Sequence, residues 1–298
     1  MRNFNSYKKE LLFTNNLSIG IRNNRVKQVQ EWLVMQAYAI DEQINILEKI
    51  DGDFGNNTYN AVKDFQTNNR LIATGIVDKN TFEILTAPLK NAYSISSLRS
   101  ITLRELIIEI AVNHLKNRAT EILNENRNKG PWVRAYCNGD DYGTLDMGPR
   151  WCAGFVKTII DMACDKLNKP FNLIYKDSLD CDAIAMWAIE KNYLINNVAI
   201  DVNISKIKKG DLFLTKSTKI NANWVHIGII ESVKANGDFT TIEGNASKAS
   251  EITGAGAKVI RKNRNFFDVF YFSASGNNVL TKDPNGYENY YEAVTLMI

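Results

Sequence analysis

The hydrophobic period of this chain changes part-way along. Up to about residue 190 apolar positions recur every three or four residues, and beyond residue 210 they fall into short Val/Ile/Phe runs. Val26, Val29, Leu33 and Ala37 mark a first helix. Asp51-Gly52-Asp53-Phe54-Gly55-Asn56-Asn57-Thr58 is a turn-rich break, and Tyr59, Val62, Phe65 and Gln66 mark a second helix. A third begins at Asp78, a good N-cap, and carries Phe82 and Leu85 inward. These three make a bundle of about seventy residues, near the lower limit for independent folding. Residues 91–100 are serine-rich and aperiodic and read as a boundary.

A capping box, Thr102 with Glu105, opens the next helix, whose apolar stripe is Leu103, Ile107, Ile110 and His114. Phe155/Val156, Ile159/Ile160, Ala163 and Leu167 define another from Cys152, and Cys181 opens a run holding Ile184 and Trp187. Strands follow at Asp211–Thr215, Val225–Ile230, Phe239–Glu243, Lys258–Arg261 and Phe267–Phe272, with Asn236-Gly237 as a hairpin signal. Helices first and antiparallel strands after predict an α+β fold.

Composition narrows the class. With 45% apolar and 23% charged residues the chain reads as a globular protein, and a net charge of +3 is too small to argue for nucleic acid. No apolar run approaches a membrane span. The polar start, Met1 to Glu10, lacks the apolar core of a secretory signal, so the expectation is a protein made in the cytoplasm that reaches its site of action by another route. Four cysteines without metal-type spacing read as reduced thiols, although spacing leaves a Cys137–Cys181 or similar disulfide open. No cofactor and no metal are expected. Asp51 and Asp53 lack the further ligands of a calcium loop, and Asp140, Asp141 and Asp146 read as solvated or turn residues.

The candidate chemistry centres on Cys152. A thiol in the first helical turn feels the positive end of the dipole and unpaired N–H groups, which favour thiolate and can face an oxyanion. Of the two histidines, His114 is explained by its helix stripe as a packed core residue, which leaves His226 on a strand as the base. A two-residue turn at Asn236-Gly237 would set Gly228 opposite Asn245 and Ile230 opposite Glu243. His226, Glu243 and Asn245 then share a face, with Asn245 the nearer diagonal neighbour. A bulge or a two-residue shift would favour Glu243, and spacing alone does not choose. Trp224, beside His226, either lines a substrate cleft or covers the sheet. Cys137, Cys164 and Cys181 read as structural.

Two family resemblances add to this. Val26-x-x-Val29-Gln30-x-x-Leu33, Asp51-Gly52-Asp53-Phe54-Gly55-x-x-Thr58, Ala61-Val62-x-x-Phe65-Gln66 and Leu71-x-x-x-Gly75-Ile76-Val77-Asp78-x-x-Thr81 resemble the peptidoglycan-binding domain family. One departure is the long, acidic stretch Ala39 to Ile50. Trp151-Cys152-Ala153-Gly154-Phe155-Val156, Gly210-Asp211-Leu212-Phe213, His226-Ile227-Gly228-Ile229 and Ile242-Glu243-Gly244-Asn245 resemble the CHAP family of cysteine, histidine-dependent amidohydrolases/peptidases. That resemblance implies a papain-like fold and cleavage of an amide bond in peptidoglycan, by an endopeptidase or an N-acetylmuramoyl-L-alanine amidase. Cys152 would be the nucleophile, His226 the base and then acid, Glu243 the orienting carboxylate and Asn245 a fourth polar position.

The expected layout is an N-terminal extension (1–16), a peptidoglycan-binding-like bundle (17–90), a linker (91–101), a CHAP-like domain (102–273) and a tail (274–298). For the tail, packing on the catalytic domain and binding a partner such as an immunity or delivery protein are both open. The implied settings are a phage endolysin or a delivered antibacterial effector. Readings from other classes stay open as well: a catalytically inactive wall-binding or structural protein, and a papain-like transamidase or deamidase toxin.

Overall fold

The computed structural model describes residues 6–40, 50–122, 128–138, 151–217, 224–247, 257–268, 270–272, 278–279 and 287–296. It is α+β, a helical N-terminal region followed by an antiparallel sheet. The helices are α1 (Ser6–Glu10), α2 (Asn24–Ile40), α3 (Asn56–Asn68), α4 (Lys79–Leu85), α5 (Ala87–Ala92), α6 (Leu103–Lys116), α7 (Pro131–Tyr136), α8 (Cys152–Lys166), α9 (Phe171–Ile174), α10 (Cys181–Glu190) and α11 (Asn197–Asn203). The strands are β1 (Leu194–Ile195), β2 (Leu212–Ser217), β3 (Trp224–Val233), β4 (Asp238–Ala246), β5 (Lys258–Asn265), β6 (Phe270–Phe272), β7 (Asn278–Val279) and β8 (Tyr287–Val294). Their order is β5-β4-β3-β2-β8-β6-β7, with β1 also paired to β8. Aspartates 140, 141 and 146, and most of the acidic stretch after Ala39, lie outside the described residues.

The N-terminal bundle is built around two buried glutamines. Gln30 of α2 accepts the Gly52 N–H at 2.8 Å and donates to Asp53 O and Thr58 Oγ1. Gln66 of α3 accepts the Gly75 N–H at 2.9 Å and donates to Ile76 O and Thr81 Oγ1. Each amide satisfies loop groups that burial would otherwise leave unpaired, so Asp51-Gly52-Asp53 is a turn pinned from its own helix. Asp78 caps α4 through the Thr81 N–H at 2.8 Å, and Thr102 caps α6 by accepting the Glu105 N–H while its hydroxyl donates to the Glu105 carboxylate, a variant of the expected capping box.

The bundle is packed on the rest of the chain through a shared apolar core. Trp32 of α2 meets Trp132 of α7 edge-on at 6.3 Å, and Tyr93, inside the segment read as a linker, stacks on Tyr7 at 4.1 Å. Within this junction Arg134 of α7 makes a two-pronged pair with Glu10 of α1 at 2.6 and 2.8 Å, and a second pair with Glu31 of α2 at 2.8 Å. Gln28 donates to the same Glu10 carboxylate. All four side chains are buried.

His114 is fully buried among Tyr93, Trp132, Tyr136 and Phe155, with Nδ1 2.8 Å from the Tyr136 hydroxyl. Desolvation lowers its pKa to about 3, so the folded state keeps the ring neutral. The unfolded chain therefore binds one more proton between about pH 6.5 and 3, and stability falls as pH drops through that window. Urea unfolding should show a loss of about 1.4 kcal/mol per pH unit between roughly pH 6 and 4 from this group. That slope should flatten in His114→Phe, and an unchanged slope would refute the assignment.

Two differences between the sheet and the sequence reading bear on the site. The β3–β4 connection is not a two-residue turn. Gly237 N donates to Lys234 O and Lys234 N to Asp238 O, with Gly237 at φ 87°, so the loop is a wider turn closed by a left-handed glycine. The second difference is β8. Residues 274–298 were read as a tail, yet Tyr287–Val294 runs along the whole of β2 and is flanked on its other side by β6 and β1. The stretch YENYYEAV mixes strand-favouring Tyr and Val with Glu and Asn, which strands disfavour, so its strand signal is weak.

Candidate functional site

Cys152 is the first residue of α8 and is buried against the sheet. The chain before it is fixed by Trp151, which stacks on Tyr136 at 5.6 Å and donates its indole N–H to Glu121 at 3.1 Å. Glu121 also accepts backbone N–H bonds from Asn128 and Ala257. The helix lies close on β4 because Gly244 has no side chain: a Cβ there would come within 2.6 Å of Phe155 and 2.9 Å of Trp151.

His226 on β3 is near enough to Cys152 for each to shift the other's pKa, and its Nε2 lies 2.9 Å from Glu243 Oε2 on β4. Glu243 is fully buried. Arg264 on β5 grips it with two bonds of 2.7 Å, and Thr241 donates its hydroxyl to it. The Arg264 guanidinium is held in turn by the Tyr291 hydroxyl and lies over the Phe213 ring. Gly228 makes room for this arrangement, since a Cβ there would sit 2.9 Å from Glu243 Cγ and 2.5 Å from Phe213.

The register explains why Glu243 meets His226. Ile229 pairs with Ile242 and Ile230 with Thr241, two residues away from the simple hairpin alignment, after an irregularity between Ile230 and Ser232. Asn245 is half-buried at a left-handed φ of 54°, where the β4–β5 register also breaks, so strand alternation no longer sets its direction. His226 bonds to Glu243 and not to the amide.

Electrostatics follow the geometry. Cys152 is held well below the ordinary thiol range by a hydrogen bond from Cys181, against the effect of burial, with further bonds from His226 and the Ala153 N–H. For His226 burial opposes the charge, but its bonds to Cys152 and Glu243 raise the pKa to about 9. Burial would raise Glu243 as well, yet Arg264 and His226 hold it well below the carboxylate range. Both shifts favour thiolate at Cys152 and imidazolium at His226. Glu243→Gln should lower the His226 pKa by about one unit or more, read from imidazole NMR shifts against pH. An unchanged midpoint would remove Glu243 as the source of the shift.

Trp224 is held on three sides. Its N–H donates to Asp182 at 2.6 Å, its indole N–H donates to Glu292 at 2.7 Å, and Lys216 Nζ lies 4.5 Å over its ring. Glu292 comes from β8, so the unread strand supplies both this anchor and Tyr291. Asp211 of the Gly210-Asp211 motif is buried and bonds Arg104, the Lys208 N–H and the Leu296 N–H, tying α6 to the ends of β2 and β8. Sequence reading missed Arg264, Thr241, Tyr291 and Glu292, because a polar residue on a strand carries no sign of which side chain it will meet. It also took Cys181 as a packing residue, whereas Cys181 Sγ lies 3.9 Å from Cys152 Sγ.

Among known proteins, a family model described as "Putative peptidoglycan binding domain" matches residues 22–85. The match covers the bundle of α2, α3 and α4 and supports association with the cell wall and peptidoglycan as a partner. No curated protein matches the chain. Among the described residues no helix is long and apolar enough to cross a membrane, and no group of three or more His, Cys, Asp and Glu side chains is placed to hold a metal ion.

Proposed function

We propose that this protein is a cysteine amidohydrolase that cleaves an amide bond of peptidoglycan while its N-terminal bundle holds it on the wall. The observation that carries the reading is the relay from the Cys152 thiol to His226 and on to the buried carboxylate of Glu243 at 2.9 Å. The Cys152 thiolate attacks the substrate carbonyl, and the oxyanion forms near the amide of Cys152 at the start of α8. His226, as imidazolium, protonates the leaving amine and then draws a proton from the water that hydrolyses the thioester. Glu243 keeps the ring oriented and stabilises its charge. Asn245 is a further polar group beside this set, and Trp224 is a candidate wall of the substrate cleft. Tethering through residues 22–85 raises the local concentration of substrate bonds around the site.

The bond is either a stem-peptide or cross-bridge peptide bond or the bond between muramic acid and L-alanine. The chemistry suits a phage endolysin or a delivered antibacterial effector, made in the cytoplasm and acting on the wall after release. Mass spectrometry of fragments released from purified cell walls tests this. New free amines on stem peptides identify an endopeptidase, and separation of lactoyl-linked sugar from alanine identifies an amidase. Intact walls with protein bound would leave a wall-binding protein without catalysis.

A further inference from the structure

Two of the four thiols face each other. Cys152 and Cys181 each occupy the first position of a helix, α8 and α10, and their sulfurs lie 3.9 Å apart with both thiols free. The other two differ. Cys164 lies inside α8, where burial pushes its thiol up to about 12, and Cys137 follows α7, against the backbone at Gly154. In the hydrolytic steps the Cys181 sulfur forms and breaks no covalent bond; it only donates a hydrogen bond to Cys152.

We propose that Cys152 and Cys181 form a reversible disulfide, with Cys181 as the resolving thiol that captures the nucleophile after oxidation by a hydroperoxide. This rests on the reading of Cys152 as a reactive thiolate. In the first step the Cys152 sulfur attacks the outer peroxide oxygen. An S–O bond forms, the O–O bond breaks, and the departing hydroxide or alkoxide leaves as water or alcohol after taking a proton. Cys152 is then a sulfenic acid, and the hydroperoxide has been reduced. In the second step the Cys181 sulfur attacks the Cys152 sulfur. The S–S bond forms, the S–O bond breaks, and the hydroxide leaves as water with the Cys181 proton. Two thiols and one hydroperoxide give one disulfide, one water and one water or alcohol.

The arrangement orders these steps. Cys181 is the protonated member, its thiol pushed well up first by its bond to the Cys152 thiolate and then by burial. Cys152 is therefore the one that meets the oxidant. Once it is a neutral sulfenic acid, the negative charge that kept Cys181 protonated is gone, and the second thiol ionises more readily at the moment it is needed. The sulfurs must close from 3.9 Å to about 2.05 Å. Both sit in the opening turn of a helix, where a side-chain rotation meets less of the preceding turn than it would mid-helix. The consequence is protection, because a sulfenic acid without a neighbouring thiol goes on to sulfinic acid, which simple thiols do not reverse.

The test is hydrogen peroxide treatment of the full chain, alkylation of remaining thiols, and non-reducing peptide mapping by mass spectrometry. Wild type should yield a peptide pair joined through Cys152 and Cys181, lighter by two hydrogens, and dithiothreitol should restore the initial rate of wall solubilisation. Cys181→Ser should accumulate Cys152 bearing two added oxygens, with activity that dithiothreitol does not recover. The proposal is overturned if wild type accumulates sulfinic acid at Cys152 as fast as the variant, or if Cys152 pairs with Cys137 or Cys164. The wild-type crosslink is read without any variant, so a misfolded Cys181→Ser leaves the test intact. If the reduced protein releases no wall fragments, the hydrolase reading fails while the crosslink still decides the redox proposal. If walls dissolve and no crosslink forms, the redox proposal fails alone.

Discussion

Cys152→Ala should reduce the release of soluble fragments from purified cell walls by roughly 10⁴–10⁶-fold, the range seen when the nucleophile of a catalytic relay is removed. Among the described residues no neighbouring group is placed to substitute. Cys181 is the nearest thiol, but its pKa is pushed well up by its bond to Cys152 and by burial, so it stays protonated when Cys152 is thiolate. Sedimentation with walls should be unchanged in the variant, since binding is assigned to residues 22–85 and Cys152 lies on α8. Measuring both properties on one preparation separates chemistry from anchoring. If the alanine protein solubilises walls at the wild-type rate, Cys152 is not the nucleophile and the proposed mechanism falls.

The second large effect concerns the junction between the bundle and the sheet. Arg134→Met should destabilise the protein by about 3–5 kcal/mol, because it leaves the Glu10 and Glu31 carboxylates buried without their cation. The side chains of Arg134, Glu10 and Glu31 are 9%, 6% and 1% exposed, so solvent screening offers little relief. Replacing all three charges together, with Arg134→Met, Glu10→Gln and Glu31→Gln, should recover most of the loss. The energetic damage in the single variant lies in the stranded charges and not in the absence of the ion pair. Urea midpoints of the two proteins make the comparison. A triple variant as unstable as the single one would show that packing around Arg134 dominates instead. Since α7 lies just before the stretch leading to Cys152, the single variant should also bind walls less firmly if the bundle loosens from the sheet.

Much of this was legible in the sequence for reasons that can be named. Helix starts at Asp78, Thr102 and Cys152 follow from capping and period. The strands at 212–217 and 224–233 follow from their Val, Ile and Phe content, and the core role of His114 follows from its stripe. Parity placed Glu243 on the side of His226, but the two-residue alignment did not survive the irregularity after Ile230, and Asn245 left the pattern through a left-handed backbone that asparagine tolerates. What stayed hidden depends on partners distant in sequence. Arg264 looks like any polar strand residue until Glu243 is beside it, and Arg134 looks like a surface arginine until two glutamates from the N-terminal helices close on it. Cys181 resembles a core thiol until a second helix start is brought to 3.9 Å from it.

The position of β8 bears on how the protein comes into being. This strand lies between β2 and β6, yet it is translated after Cys152, His226 and Glu243. Until it arrives, β2 has an open edge, Trp224 lacks the Glu292 carboxylate and Arg264 lacks the Tyr291 hydroxyl. A nascent chain thus carries Cys152, His226 and Glu243 without the framework that aims them, and the candidate site is completed only as β8 inserts. The order of synthesis itself delays the completed Cys152–His226–Glu243 framework until β8 has been made.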